Sequence, residues 1–207
     1  MSEKKIGKKA LDYAKESIKI EGKAVLDMLP TVCTEAFERA TRLLCDCTRI
    51  MTCASGTSGI AAKKFAHSLC CIERAAMFMP PCEAVHGGLG ALKDGDVMVM
   101  VSRGGKTAEL LPIIPVVKKR GAFLIAVTEN LNSPLSNAAD IILPLIIDKE
   151  SDKYNMMATS SFMATIALFD ALLCAIMEET GYKKEQFGLI HPGGAVGQML
   201  SEEKKGV

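Results

Sequence analysis

The chain has 207 residues, 49% of them hydrophobic and 5% aromatic, with no tryptophan and a formal net charge of +1. That length and apolar content suit one globular domain with a full core. The near-neutral balance offers no basic surface for nucleic acid or an anionic membrane, and the shortage of aromatic rings argues against base-stacking platforms.

The opening Met-Ser-Glu-Lys-Lys is charged and leads into no apolar core, so no secretory signal is expected. Residues 8–45 carry helical periodicity, broken at Leu29-Pro30-Thr31. Ile18, Ala24, Val25 and Leu29 mark the apolar face of one predicted helix. Ala36, Phe37, Ala40, Leu43 and Leu44 mark that of another. This helical segment (1–46) precedes a region (47–200) of alternating strand and helix signals, all within one expected domain spanning 1–207.

Residues 49–55 read as the first strand, ending in Ser55-Gly56-Thr57-Ser58-Gly59 before a helix through Phe65 and Leu69. Residues 75–79 give a short second strand, followed by Pro80-Pro81 and Glu83-Ala84-Val85-His86-Gly87-Gly88. The run 97–101 is short and wholly apolar, as for a strand buried on both faces. It stops at Ser102-Arg103-Gly104-Gly105-Lys106-Thr107. A helical pattern follows in Leu110, Leu111, Ile114 and Val117, with Lys118, Lys119 and Arg120 in its last turn and Thr107 as the candidate N-cap. A strand, a glycine- and hydroxyl-rich turn and a helix N-terminus together present free N–H groups to an anion. A nucleotide P-loop is excluded, because the glycine it needs five residues before Gly105 is Met100, and no Gly-x-Gly-x-x-Gly occurs. The two turns suit a small phosphate ester, and as ends of parallel strands they point to a shared crevice.

Residues 123–127 and 141–145 supply two more strands, with Ser133-Pro134-Leu135 opening a helical turn between them. Residues 162–177 form the longest apolar run. It is too short to span a bilayer and contains Asp170, so it reads as a helix buried all round. The alternation predicts an α/β three-layer α/β/α sandwich around a parallel sheet of about five strands, flavodoxin-like in plan. The eight cysteines sit mostly in apolar stretches (Cys53, Cys70, Cys71, Cys174), and Cys45-Asp46-Cys47 lacks metal spacing. Reduced, largely buried thiols in a cytoplasmic protein are expected. The histidines at 67, 86 and 191 have no metal-binding spacing, so no metal is expected.

Five segments together resemble the sugar isomerase (SIS) domain family, and within it the isomerase domain of arabinose-5-phosphate isomerases. They are Ser55-Gly56-Thr57-Ser58-Gly59, Glu83-Ala84-Val85-His86-Gly87, residues 102–109, Thr159-Ser160-Ser161, and His191-Pro192-Gly193-Gly194-Ala195-Val196-Gly197. The resemblance implies the SIS fold and interconversion of aldose and ketose phosphates through a cis-enediol, without a cofactor. Such a reaction needs a base near C1 and C2, an acid/base for the oxygens and ring opening, and a fixed phosphate. The match places catalytic acids at Glu109 and Glu150 and a catalytic histidine at His191. Glu150 would take the enediol proton, and His191 would serve ring opening or oxygen protonation. Ser55, Gly56, Thr57, Ser58, Ser102, Arg103, Gly104, Lys106 and Thr107 fall where the phosphosugar is held, with His86 at the site mouth or in packing. The family's site lies between subunits, implying a homodimer or homotetramer in which His191 acts on a neighbour's substrate. The family's tandem cystathionine-β-synthase-type domains would begin where this chain ends.

Two departures from the resemblance stand out. Thr57 occupies the place of a lysine, and Gly104, preceded by Arg103, replaces the second Ser of a Ser-x-Ser-Gly loop. A missing ammonium forfeits about 1.5–3 kcal/mol of charge-assisted hydrogen bonding, unless Arg103 or Lys106 compensates. The readings left beside a pentose 5-phosphate isomerase are a non-catalytic phosphosugar sensor and a hexulose-6-phosphate-type isomerase. Without the resemblance, Glu109 is an acid in a first helical turn, and Glu150 belongs to a solvated loop, Asp148-Lys149-Glu150-Ser151-Asp152-Lys153.

Overall fold

The computed structural model describes residues 6–194, 197 and 199. Its centre is a five-stranded parallel sheet in the order β2-β1-β3-β4-β5, where β1 is Ile50–Cys53, β2 Ala76–Phe78, β3 Val97–Val101, β4 Phe123–Thr128 and β5 Ile141–Pro144. The order reverses between β1 and β3, so the crevice between their carboxyl ends is the topological switch point of a doubly wound sheet.

Helices cover both faces, and the central strand shows why its sequence is apolar throughout. Val97, Val99 and Val101 pack with Phe37 and Leu44 of α3 (Glu35–Asp46), Phe65 and Leu69 of α4 (Gly56–Cys71), and Leu168 and Phe169 of α8 (Ser160–Thr180). Met98 and Met100 face the other way, against Ala84 of α5 (Pro81–Val85), Ile114 and Val117 of α6 (Ile114–Lys119), and Leu135 of α7 (Pro134–Ala138). Alternate residues thus serve two cores, and all five positions of β3 are buried. Phe65 stacks on Phe169 at 4.1 Å between ring centroids, tying α4 to α8.

Several expectations need correction. In α1 (Lys8–Leu26) Ala24 is buried, but Ile18 is 75% exposed. Leu29, in the short α2 (Leu29–Val32), is also exposed. Of that predicted face, Ala24 is covered and Val25 partly covered, while Ile18 and Leu29 stay open among the described residues. The helix α8 runs longer than the apolar run, enough to cross a membrane by length and composition. It is half-buried in the core rather than buried all round, and its Asp170 pairs with Lys64. The cysteines are free, yet among them Cys47 and Cys53 alone are buried, while Cys70 and Cys174 are exposed.

The largest departure follows β3. No helix begins at Thr107. Turns bridge residues 107–113, with N–H of Leu110 on Thr107 O and N–H of Ile113 on Leu110 O, and α6 starts only at Ile114. Pro112 and Pro115 have no N–H to give, so a regular ladder cannot run from Thr107. Leu110, Ile113, Ile114 and Val117 are buried all the same.

Candidate functional site

The turn after β1 leads straight into a long helix. Ser55 is extended (φ −102°, ψ 157°) and its hydroxyl makes no cap bond. Gly56 takes a left-handed φ of +58°, and a Cβ on Gly59 would lie 2.8 Å from Ala54 O, so glycine lets the helix seat against the strand end. The N–H of Gly59 is held by Ser55 O at 3.2 Å. Those of Gly56, Thr57 and Ser58 find no acceptor among the described residues. At 16 residues, α4 is long enough to carry a full dipole to these free donors.

The turn after β3 is closed on itself. Ser102 is 4% exposed; its hydroxyl lies 2.8 Å from Thr107 Oγ1 and accepts from Gly105 N at 3.1 Å. Gly105 has φ +64°, and a Cβ there would sit 1.9 Å from Ser133 Oγ. The end of β4 stitches the turn further: Arg103 O accepts from Glu129 N and Thr128 Oγ1, both at 3.0 Å, and Gly104 O accepts from Asn130 Nδ2. Gly104 and Lys106 stay exposed.

Glu150 is the surprise of the site. It is 2% exposed, on the loop after β5. Its Oε2 accepts from Thr159 N (2.9 Å), Thr159 Oγ1 (3.1 Å) and Ser161 N (3.1 Å), while Oε1 accepts from Arg103 Nη1 at 2.7 Å. Burial pushes its carboxyl up, but the donors of Ser161 and Thr159 outweigh burial and hold it below the ordinary carboxylate value. Arg103 also reaches Glu129 Oε2 with Nε at 2.6 Å, so one guanidinium bridges two carboxylates.

Glu109 is exposed in the turns after Thr107, and it lines a depression of about 400 Å³ with Ser55, Gly56, Gly59, Lys63, Pro81 and Cys82, among others. The two strand-end turns open on one edge of the sheet, but only the first lines this hollow; from the chain after β3, Glu109 alone does so, and Ser102, Arg103, Gly104, Lys106 and Thr107 do not. Thr57 is exposed and Ser58 half-buried in the first turn of α4, and His86 is exposed at the end of α5. Burial pushes the Cys53 thiol, at the end of β1, up to about 12, with Cys82 adding to the shift, so no thiolate nucleophile is present there at neutral pH. Among the described residues, no three His, Cys, Asp or Glu side chains gather as metal donors.

His191 stands apart. It ends α9 (Lys184–Ile190), stacked on Phe187 at 3.7 Å with Nδ1 2.9 Å from Phe187 O. Tyr182 OH donates to Cys71 O and Gln186 to Glu73, which fastens the start of α9 to the carboxyl end of α4. The Gly56 end of α4 lies roughly 24 Å away along its axis. Among the described contacts none joins His191 to the two turns. Ala195 and Val196 of its motif lie outside the described residues.

Glu129, Thr159 and Ser161 were not marked by the sequence as partners of Glu150. Thr159-Ser160-Ser161 could have been, since small hydroxyl residues at the start of a long apolar helix offer N–H and O–H donors. Nothing local marks Glu129.

The SIS domain family matches residues 43–175, and the chain belongs to it. It is 35% identical over 187 residues to arabinose 5-phosphate isomerase KdsD of Pseudomonas aeruginosa, covering 90% of this chain and 57% of the relative. The chain thus spans little more than half the relative's length. A candidate sugar-phosphate isomerase from Listeria monocytogenes is 45% identical, with TM-score 0.86 over 91% of this chain and 100% of its own. Protein c3406 of E. coli CFT073, solved in complex with arabinose 5-phosphate, is 28% identical with TM-score 0.81, over 90% and 100% of the two chains.

Proposed function

We propose that the chain is a phosphosugar aldose–ketose isomerase working through a cis-enediol, on a pentose 5-phosphate such as arabinose 5-phosphate. The observation that carries this reading is the hollow beyond the carboxyl ends of β1 and β2, which Ser55 and Gly56 at the start of α4 line together with Lys63 and Glu109. The relatives named arabinose 5-phosphate isomerases and the sugar-phosphate complex of a similar structure support the substrate class.

The phosphosugar's anionic and hydroxyl oxygens are assigned to Ser55, Gly56, Thr57 and Ser58, with Lys106 reaching in from the turn after β3 and His86 at the mouth. Ser102, Gly104 and Thr107 are assigned to the same ligand from the turn after β3. Glu150, held ionised at neutral pH, is in the form a general base requires. Glu109 serves the sugar oxygens. His191 acts from a second copy of the chain, in a homodimer or homotetramer whose site is shared. The hydrogen moves within one molecule, so no cofactor is needed.

Incubating the protein with pentose and hexose phosphates in deuterated water tests this directly. Deuterium at C1 or C2 is expected for the true substrate, and Glu150→Gln should abolish labelling while the sugar phosphate still binds. Thr57, which brings no ammonium to the α4 turn, favours one other reading, a sensor that binds phosphosugars without turning them over. Binding without label across the whole panel would establish the sensor and defeat the isomerase.

A further inference from the structure

We infer that Arg103 is a positioning residue for Glu150, anchored from its other side by Glu129, and that its charge is committed to these carboxylates rather than to the ligand's phosphate. This rests on the reading of Glu150 as the base and adds how that base is held.

The three side chains come from the ends of three neighbouring strands: Arg103 follows β3, Glu129 follows β4, and Glu150 lies beyond β5. Arg103 Nη1 is 2.7 Å from Glu150 Oε1, and Nε is 2.6 Å from Glu129 Oε2. Exposure is graded along the bridge, with the side chain of Glu150 1% exposed against 37% for Arg103 and 39% for Glu129. The backbone repeats the tie, because Glu129 N donates to Arg103 O at 3.0 Å. A planar guanidinium can serve two carboxylates at fixed angles, which a point-like ammonium cannot.

Charge balance decides against a phosphate role. One cation between two carboxylates leaves the trio at net −1, and a phosphate brought to the same guanidinium would meet both like charges at close range. Lys106 is exposed, and among the described residues no ion pair holds it. Other charges around the Glu150 loop are Glu21, which accepts from Ser151 Oγ at 2.8 Å, and Asp152, turned into its own loop toward the N–H groups of Tyr154, Met156 and Met157. Neither contacts the Glu150 carboxylate, so Arg103 is its direct counter-ion among the described residues.

The test uses the full chain with Arg103→Met, Arg103→Lys and Glu129→Ala. It reads kcat and KM on arabinose 5-phosphate, together with the Glu150 carboxyl titration by carbon NMR, assigned through Glu150→Gln. In Arg103→Met, kcat should fall at least tenfold with KM within twofold, and the carboxyl should titrate at higher pH. Arg103→Lys should restore part of kcat, and Glu129→Ala should lower kcat severalfold with KM unmoved. A tenfold rise in KM at unchanged kcat, with an unmoved titration, would overturn the inference and return Arg103 to the phosphate. If no sugar is labelled in deuterated water, the isomerase reading fails by itself. The titration then decides alone, an upward move in Arg103→Met supporting the pairing and no move refuting it. Should Arg103→Met fail to fold, the other two variants answer through the same readouts.

Discussion

The turns that close β1 and β3 have almost the same composition and opposite states. Ser55 leaves its hydroxyl free beside unclaimed N–H groups, whereas Ser102 joins its hydroxyl to Thr107 and Gly105. What differs is the chain that follows. After Gly56 comes an uninterrupted helix of 16 residues; after Thr107 come Pro112 and Pro115, and the helix that finally forms has six residues. Glycine and hydroxyl content therefore does not decide whether a turn leaves donors open. The continuous helix behind it does, since a helix start leaves its first N–H groups unpaired and a longer ladder adds a larger dipole.

The sharpest way to break this contrast is to add one methyl group to each turn. Gly105→Ala combines a left-handed φ with a Cβ driven into Ser133, where a second turn is already packed. Strain and overpacking together predict a loss of about 2–5 kcal/mol. Gly56→Ala meets open space at φ +58°, so the left-handed penalty of about 1–2 kcal/mol should stand alone. Urea unfolding of both variants measures the difference. Equal losses would show that the second turn is no more tightly built than the first.

Next in size is Glu150→Gln. The buried carboxylate takes three donors on Oε2 and the guanidinium on Oε1, and the amide turns a donor toward some of them. A loss of about 1.5–3 kcal/mol is expected. The pH dependence has a definite sign. The folded carboxyl lies below the ordinary value of 4.5, so as pH falls the unfolded chain takes up the proton first. The stabilisation is complete above that value and is lost as pH drops through the lowered one. Melting curves between pH 6 and pH 3 should therefore fall more steeply in the parent than in Glu150→Gln, and parallel curves would contradict the assignment.

That residue also marks the limit of what the sequence discloses. The strand Val97–Val101 was legible because its neighbours on both faces are helices, which leaves five consecutive apolar residues as the only workable pattern. Likewise Ser133 was legible as the start of α7, because its hydroxyl accepts from Ser136 N as a cap does. Glu150 sits among Asp148, Lys149, Ser151, Asp152 and Lys153, and alone of these is buried. Its donors lie nine and eleven residues on, and its guanidinium lies 47 residues back, so no local period records them. The face of α1 failed for the converse reason. Ile18 and Leu29 keep helical spacing, but no surface among the described residues covers them. That the two strand-end turns share one edge was legible as a topology, since parallel strands put their carboxyl ends on the same side of the sheet. The stitching of the second turn to the end of β4 was not, because Thr128 and Asn130 lie 25 and 26 residues beyond the groups they bond.

The smallest expected effect tests whether the open turn lacks only a charge. Thr57 is exposed at the start of α4, beside the unpaired N–H of Gly56 and Ser58, so Thr57→Lys needs no repacking. A cation at a helix N-terminus opposes the dipole, and stability should fall by about 0.3–1 kcal/mol. Against a phosphosugar in the hollow, the same ammonium adds a charge-assisted hydrogen bond. With part of that gain offset by dehydrating the lysine, about a tenfold tightening is expected, equivalent to about 1.4 kcal/mol. Titration calorimetry with arabinose 5-phosphate, run beside Lys106→Ala, separates the two cations. Tighter binding in Thr57→Lys and weaker binding in Lys106→Ala would place the anion between the two turns. An unchanged affinity in Thr57→Lys would mean that the open helix end and the ligand do not meet, and the contrast between the turns would then be one of folding alone.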